Sequence, residues 1–446
     1  MSANNEIGTP PGWIAGKLSD FVHPRGEKAL PSSLPNATFL GMDHIEAHTT
    51  RIIGGVPASK MKSAGARFYR GDVLYGRLRP YLNKVAAPGF DGLASAEFIV
   101  FPDSELLHSQ FLKHRLNASD FVSFASHLNE GDRPRVDFDQ IGAFPVILPP
   151  AAEQRRIVAK IEELFSELDK GVESLATSRE QLNLYRLIIL HQAVISRDGL
   201  PFPTKPLAEL IGEIGQGWSP KCDVNTPAKD GEWAIIKTTA VQPMAYLGHE
   251  CKPLPNNLKP RASIEIHDGD LLMTRKGPRP RTGVVCHVGK ARPNSMLCDT
   301  VYRFRARTEI VLPEYLEIAL NAPTVVQGIN ARKSGISESG ISLNHGKLHS
   351  LPVPVPQSLA DQARIVQIVR ERMSLVEHQC TLVEHEIRRA DALSQSILTR
   401  AFSGELVAQD AADEPASALL ERIRAAREVR GETKRRHSKN GKKEAA

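Results

Sequence analysis

Apolar residues recur at every seventh position along two long stretches of the chain. The two sets are Ile161, Leu168, Leu175, Leu182 and Ile189, and then Val369, Val376, Val383, Ala390 and Ile397. Neither stretch contains a proline over about 45 residues. A sustained seven-residue apolar repeat is typical of a coiled coil. The pattern therefore predicts two helices, each about 65 Å long at the rise of an α-helix.

The two stretches begin with similar phrases. The first is FPVILPPAAEQRRIV (144–158) and the second is LPVPVPQSLADQARIV (351–366). Proline suits a strand edge or an entry turn, so each phrase predicts a short strand that leads into a helix, with Ile157 and Ile365 in the first turns. Two unrelated helices would not share the proline strand, the Gln-x-Arg-Ile-Val start and the heptad register. We therefore interpret the chain as a duplicated unit.

The segments before the helices predict the fold class. Both are rich in glycine, proline and short β-type runs, and each contains a helical pattern near its end. We expect an α+β fold with two globular domains, each followed by a long helix, and an antiparallel coiled coil with pseudo-twofold symmetry. The predicted divisions are 1–150 and 198–357 for the globular domains, 151–197 and 358–406 for the helices, and 407–446 for a C-terminal segment with a basic, disordered tail.

Composition limits the class of protein. No apolar run is long enough to cross a membrane, and the N-terminus lacks the features of a signal peptide. Five cysteines without a CxxC pair indicate reduced thiols rather than a disulfide framework or a zinc site. We expect a soluble, cytoplasmic protein of two or three domains.

Positive charge is concentrated at the C-terminus. The net charge is +6, and residues 421–446 alone hold ten Lys or Arg against four Glu. The remainder of the chain is therefore neutral, and the high pI of the chain does not by itself indicate a nucleic-acid-binding domain. A solvated tail is favoured over a specific binding arm.

Two basic stripes interrupt the neutral part. Seven basic residues stand against Asp72 alone from Lys60 to Lys84, and nine stand against Asp299 alone from Leu271 to Arg307. Any single arginine could equally be a solvated surface charge, but two such clusters indicate two contacts with a polyanion. The candidate DNA-contacting residues are Lys60, Lys62, Arg67, Tyr75, Arg77, Arg79, Tyr81, Asn83, Lys84, Arg133, Arg135, Arg275, Lys276, Arg279, Arg281, Arg303 and Arg305.

Several phrases resemble the specificity subunit of type I restriction-modification enzymes. They are PPGW (10–13), FLGMDHIE (39–46), GDVLYGRLRPYLNK (71–84), LPPAAEQRRIV (148–158), AFSGELV (401–407) and DEPASALLERI (413–423). The resemblance implies that each globular domain reads one half of a bipartite, asymmetric double-stranded DNA site. It also implies that the helices set the gap between the halves and bind two methylation subunits, which restriction subunits join. Asp361 replaces the Glu153 of the first repeat, so the two docking surfaces are expected to be unequal.

The resemblance implies a subunit without catalysis or cofactors of its own, with S-adenosylmethionine, ATP and Mg²⁺ expected in its partners. The sequence agrees, because it lacks a G-x-G-x-x-G loop, a complete P-loop and the Asn/Asp-Pro-Pro-aromatic motif of adenine methylases. The cluster DHIEAH (43–48) could bind a metal on a helix, but the preceding FLG predicts a strand end, so we expect no metal site. Two alternatives stay open, namely an orphan DNA-binding or anti-restriction relative and a nuclease with a cryptic metal site.

Overall fold

The structure, a computed structural model, describes residues 9–196, 198–223, 226–335 and 337–425. The chain forms two compact units. The first unit combines residues up to Ser174 with residues from Glu386 onward, whereas the second is the continuous segment Leu175–His385. The predicted tail lies largely outside the described residues. The five-part division made from the sequence stays a prediction, because the boundary between the units falls within the long helices.

The first unit is built on short strands with three sheets. The strands are β1 (Ile14–Lys17), β2 (Lys28–Ala29), β3 (Thr38–Leu40), β4 (Val56–Pro57), β5 (Gly65–Phe68), β6 (Val73–Gly76), β7 (Val85–Ala86), β8 (Gly92–Ala94), β9 (Phe98–Phe101) and β10 (Pro145–Leu148). They form a five-stranded sheet in the order β2-β5-β8-β3-β4, a three-stranded sheet β7-β6-β9, and the pair β1-β10. The α-helices are α1 (Leu18–Phe21), α2 (Ser109–Leu116), α3 (Ser119–Ser126), α4 (Phe138–Ile141) and the long helix α5 (Ala151–Gln192).

The second unit repeats this plan with additional strands. They are β11 (Thr204–Pro206), β12 (Gly215–Gln216), β13 (Ala234–Ile236), β14 (Val241–Gln242), β15 (Ala245–Tyr246), β16 (Cys251–Pro253), β17 (Leu271–Thr274), β18 (Lys276–Gly277), β19 (Val285–His287), β20 (Ser295–Met296), β21 (Val301–Phe304), β22 (Lys333–Ser334), β23 (Ile341–Leu343) and β24 (Pro352–Pro354). The sheets are β12-β21-β17-β19, β16-β13-β20, β18-β23-β22, β14-β15 and β11-β24. The helices are α6 (Leu207–Leu210), α7 (Pro313–Asn321), α8 (Pro323–Ala331), α9 (His345–His349) and the long helix α10 (Leu359–Phe402).

Short 3₁₀ helices connect the strands in both units. They are Pro31–Ser33, Met42–His44, Ala58–Lys60, Pro80–Leu82, Thr238–Ala240, Ala262–Ile264 and Arg279–Arg281. All five cysteines are free thiols, three of them buried. No helix in the described ranges is long and apolar enough to cross a membrane. The mixture of helices and strands confirms the predicted α+β class.

The long helices pack against each other within each unit. In the first unit, Ile157 and Ile161 of α5 share a core with Ile397 of α10. In the second unit, Ile189 of α5 shares a core with Val369 and Val376 of α10. The start of one helix thus meets the end of the other in both units, as an antiparallel pair requires.

The remaining predicted heptad positions follow the same side of each helix. The side chains at these positions are buried or half-buried: Leu168, Leu175, Leu182, Ile365, Val383 and Ala390. This packing explains why the apolar repeat continues through both helices without a break.

A buried glutamine fixes the start of each long helix. Gln154 accepts a hydrogen bond from the backbone N–H of His108 at 2.8 Å and donates to two backbone carbonyls. Gln362 accepts from Leu312 N–H at 2.9 Å and likewise donates to two carbonyls. Both side chains are wholly buried. The repeated Gln is therefore required to satisfy the same buried backbone groups in each unit.

Candidate nucleic-acid interface and helix surface

Each unit contains a Gly-Asp turn that leads into a buried strand. The turn glycines have φ angles of 93° and 85°, a region that favours glycine. Asp72 and Asp270 are buried, and each accepts a hydrogen bond from the backbone N–H three residues before it. Each also binds an arginine, Arg25 at 2.9 Å in the first unit and Arg305 at 2.8 Å in the second. The turns are therefore rigid starting points for β6 and β17.

An arginine follows each of these strands and is held through its backbone. Arg77 donates its N–H to the carbonyl of Glu97, and its own carbonyl accepts from Val136. Arg275 donates to Thr300 and accepts from Leu343 in the same way. These hydrogen bonds place both arginines at fixed positions at the ends of equivalent strands.

Part of the first basic stripe has no polar partner. Among the described residues, the exposed side chains of Lys60, Lys62 and Arg70, and of Arg133 outside the stripe, form no hydrogen bond or ion pair. The Nε atoms of Arg77 and Arg79 are buried without a hydrogen-bond acceptor. An anionic ligand could engage these six cations without breaking an existing contact within the described residues.

The remaining cations of the first stripe, and Arg135 outside it, already have partners. Arg67 lies 3.5 Å from a carboxylate oxygen of Glu27 and stacks on Tyr69, and Lys84 donates to the carbonyl of Met42. Arg135 forms two hydrogen bonds with Glu97, which hold the pKa of that carboxyl below its ordinary value.

Two residues assigned to DNA contact from the sequence do not lie on the surface. Tyr75 is 1% exposed and packs edge-to-face on Phe121 in the core, where burial raises the pKa of its hydroxyl. Asn83 is 3% exposed and donates to the side chain of Asn117. Neither side chain is available to DNA in this structure, whereas Tyr81 is exposed.

Arg79 and Asn83 have positive φ angles of 52° and 40°. Such angles are uncommon for residues other than glycine and are enriched at functional sites. The two residues flank the 3₁₀ helix Pro80–Leu82, which begins directly after Arg79. The strained backbone therefore lies in the same segment as the half-buried Arg77.

The second stripe is mostly paired. Arg279 binds Glu338 at 2.9 Å, and Arg281 donates to the backbone of Thr238 and Val241. Arg303 donates to the backbone carbonyls of Ser263 and Glu265, which precede β17 in the chain. Lys276 is exposed and has no side-chain partner within the described part of the chain. Lys290 is also exposed without a side-chain partner there, so within the described residues the second stripe still holds fewer unpaired cations than the first.

Neutral and aromatic residues complete this surface, and charge counting does not identify them. Gln216 on β12 accepts a hydrogen bond from Nη1 of Arg275 at 2.5 Å. Arg275 also stacks on Tyr302, with 5.3 Å from the guanidinium carbon to the ring centroid. Trp218, two residues beyond Gln216, lies 3.8 Å beneath the guanidinium of Arg261. The signal available in the sequence was the phrase GQGWSP (215–220), in which two glycines bracket a glutamine and precede a tryptophan.

The side chains of the DHIEAH cluster have local partners. His44 accepts a hydrogen bond from the N–H of Gly41 through Nδ1, and Glu46 binds Arg51 at 2.8 Å. The segment begins in a 3₁₀ helix after β3, near the strand end predicted from FLG. Within the described ranges, no group of three or more His, Cys, Asp or Glu is placed to hold a metal ion.

The helices of the second unit carry an exposed apolar face. We define this helix surface as Ile368, Leu375 and Leu382 on α10 with Leu184, Leu187 and Ile188 on α5. Leu375 is 67% exposed and Leu184 is 58% exposed, although large apolar side chains are usually covered. The α10 residues recur every seven positions, next to the buried Val369, Val376 and Val383.

A cavity of about 520 Å³ adjoins the helix surface. Its apolar lining includes Leu187, Leu190, Val369 and Met373. Glu317 of α7 also lines it, and burial raises the pKa of this carboxyl to about 7. Further polar side chains, among them Arg370 and Glu377, complete the lining. An apolar cavity of this size with polar groups around it resembles the pockets that receive an anchoring side chain of a partner.

Comparison with family models gives no match. The chain is 32% identical over 196 residues to the type I restriction enzyme EcoEI specificity subunit of Escherichia coli, covering 43% of this chain and 33% of that protein. It is 27% identical over 366 residues to the EcoKI specificity subunit of Escherichia coli K12, covering 76% of each chain. The first alignment therefore spans only a third of its relative, and the second spans most of both proteins.

A solved structure supports the fold. A chain from the structure on complex assembly and conformational transition of the type I R-M system superimposes with a TM-score of 0.70 at 20% identity, covering 89% of this chain and 99% of that chain. The shared fold agrees with the α+β architecture and the long helices described above. The chain is therefore similar in sequence to type I restriction enzyme specificity subunits, and it shares the fold of a chain from a type I R-M system.

Proposed function

We propose that this protein is the DNA-specificity subunit of a type I restriction-modification complex. Residues 1–150 and 198–357 serve as target recognition domains, and each reads one half of a bipartite, asymmetric double-stranded DNA site. The helical segments 151–197 and 358–406 set the spacing between the halves. The observation that carries the proposal is the duplication: each unit holds a Gly-Asp turn, a buried strand and a backbone-fixed arginine in the same order.

Basic residues determine how such a protein holds DNA. Lysine and arginine side chains neutralise phosphates and release counterions, so affinity falls with salt. Lys60, Lys62, Arg133 and Lys276 are exposed cations without internal partners in the described chain, and they are suited to phosphate contacts. Phosphate contacts fix the position of the protein on DNA, and base contacts provide the sequence selectivity.

The long helices bind the partner subunits in this proposal. Two methylation subunits attach along the helices, and restriction subunits join the assembled complex. The helix surface supports the assignment on the second unit, because exposed apolar side chains at heptad spacing gain free energy when a partner covers them. S-adenosylmethionine, ATP and Mg²⁺ belong to the partner subunits, and this chain supplies recognition without catalysis.

The test is the map of modified bases in a methylation-free host that expresses this chain with its cognate methylation subunit. We expect a bipartite motif with one methyl-adenine in each half. Co-purification establishes that the two proteins form a complex. A complex that leaves no modified motif would overturn the proposal and favour an orphan or anti-restriction relative.

A further inference from the structure

The two units share a sequence motif that the basic stripes only partly contain. GDVLYGRLRP (71–80) and GDLLMTRKGP (269–278) agree in Gly, Asp, Leu, Arg and Pro at identical spacing. The Gly-Asp turn fixes the start of the strand and the proline begins or precedes a 3₁₀ helix. The arginine is the only member of the motif with an ionised side chain that is not buried in the turn.

Backbone contacts hold the two arginines in equivalent ways. The N–H of Arg77 lies 2.8 Å from the carbonyl of Glu97, and that of Arg275 lies 2.8 Å from the carbonyl of Thr300. Their carbonyls accept hydrogen bonds of 3.0 Å and 2.8 Å from the backbone N–H groups of Val136 and Leu343. A side chain on such a fixed backbone loses less conformational entropy on binding than one on a free loop.

The guanidinium groups share a second property. The Nε atoms of Arg77 and Arg275 are both buried without an acceptor, so the stem is enclosed and the terminal nitrogens are left for contact. In the second unit Gln216 takes one hydrogen of Nη1, and Tyr302 supports the guanidinium from the side. Neither arginine forms an ion pair with a carboxylate of the described residues. By contrast, Arg135, Arg279 and Arg305 are paired in this way.

We infer that Arg77 and Arg275 are matched specificity determinants, each contacting a guanine in the half-site read by its own unit, with Gln216 orienting Arg275. This inference rests on the proposed function. A fixed arginine fork fits the O6 and N7 acceptors of guanine, which are adjacent in the major groove. Lys60, Lys62, Arg133 and Lys276 then act on phosphates, where a point charge on a flexible stem is sufficient.

Arg275→Lys and Arg77→Lys test the assignment, because lysine keeps the charge and removes the planar fork. The complex with the methylation subunit is expressed in a methylation-free host and its modified motif is compared with that of the unaltered complex. We expect each variant to relax one guanine position in one half, with about 5- to 150-fold lower preference for that base in competition binding. The other half and the spacing stay unchanged.

Lys276→Ala is the matched control, since it removes a neighbouring cation. It should lower DNA affinity for all sequences alike and leave the motif unchanged. Gln216→Ala is the second test and leaves the arginine in place. It should relax the position affected by Arg275→Lys, and it serves alone if that variant fails to assemble.

An unchanged motif in assembled Arg→Lys complexes would overturn the inference while leaving the proposed function in place. The same holds if either variant altered both halves, because independent determinants act on one half each. A complex of the unaltered chain that produces no motif would instead overturn the proposed function, and the inference with it.

Discussion

The two units place ionisable side chains of opposite charge at equivalent positions of their repeated backbone. His108 and Leu312 donate to the equivalent glutamines, which aligns α2 with α7 and therefore Lys113 with Glu317. Burial lowers the pKa of Lys113 and raises that of Glu317 to about 7. The backbone frame is thus duplicated, whereas the charges that it carries have diverged.

The helix faces diverge as well. Ile368, Leu375 and Leu382 of the helix surface correspond, 208 residues earlier, to Lys160, Glu167 and Ser174. A duplicated frame can therefore present an apolar face in one unit and a polar face in the other. The difference teaches that repeat symmetry applies to the buried contacts and does not extend to the surfaces that partners meet.

The largest predicted effect tests the shared frame. Gln154→Leu and Gln362→Leu each leave three buried backbone groups without a hydrogen bond. We expect each to lower the free energy of unfolding of its own unit by about 3–5 kcal/mol. Urea unfolding of the full chain measures this, with Gln367→Leu, on an exposed position of α10, as the control. Very different losses of unfolding free energy in the two variants would show that Gln154 and Gln362 are not equivalent.

The next prediction tests the divergent charges. The folded-state pKa of Glu317 is about 7 and its ordinary value is 4.5, so the protonated group contributes stability that is present below pH 4.5 and lost as pH rises through 7. Glu317→Gln removes this pH dependence. At pH 8 the free energy of unfolding of the variant should be higher than that of the unaltered protein by about 3 kcal/mol. Thermal unfolding between pH 5 and 8 measures it, with the exposed Glu377→Gln as control. A parallel pH profile for both proteins would contradict the buried-carboxyl explanation.

A smaller effect is expected at the helix surface. Leu375→Glu with Leu382→Ser gives α10 the residue types that α5 has at Glu167 and Ser174. Losing this apolar burial should weaken binding of the methylation subunit to the second unit by about 10- to 100-fold. Titration followed by mass measurement gives the number of bound subunits. The control is Glu167→Gln, and unchanged stoichiometry and affinity in the double variant would show that partners bind elsewhere.

The smallest effect separates unpaired from paired cations. Lys60→Ala should reduce the slope of log affinity against log salt by about one, because the lysine has no partner within the described part of the chain. Arg281→Ala should reduce the slope less, since that guanidinium is already bound to the backbone of Thr238 and Val241. Fluorescence anisotropy over a salt series distinguishes them. Equal slopes for the two variants would show that an internal partner does not change how a cation contributes to DNA binding.

Local periodicity made much of the fold predictable. The heptads, together with Pro145 and Pro352, located both long helices, which begin at Ala151 and Leu359. The repeated phrases also predicted the duplication. These features were accessible because helix packing and proline geometry depend on residues close together in the chain.

The site was less predictable because its partners are distant in sequence. Arg135 pairs with Glu97, 38 residues away, and Arg279 pairs with Glu338, 59 residues away. A local charge count therefore included cations that the fold neutralises. Tyr75 was misassigned to the surface because β6 is buried on both faces and does not alternate. Gln216 was missed because a neutral amide adds nothing to a charge count.

The discontinuity of the first unit has a consequence for synthesis. Its core includes Ile397, Leu398 and Ala401, whereas the second unit is the continuous segment Leu175–His385. A ribosome makes the N-terminal part first, but the α10 residues that complete its core are synthesised only near the end of the chain. The second unit can therefore complete its core earlier, even though it is made later. Contacts between residues so far apart in sequence slow folding. We therefore expect the first unit to reach its native structure after the second.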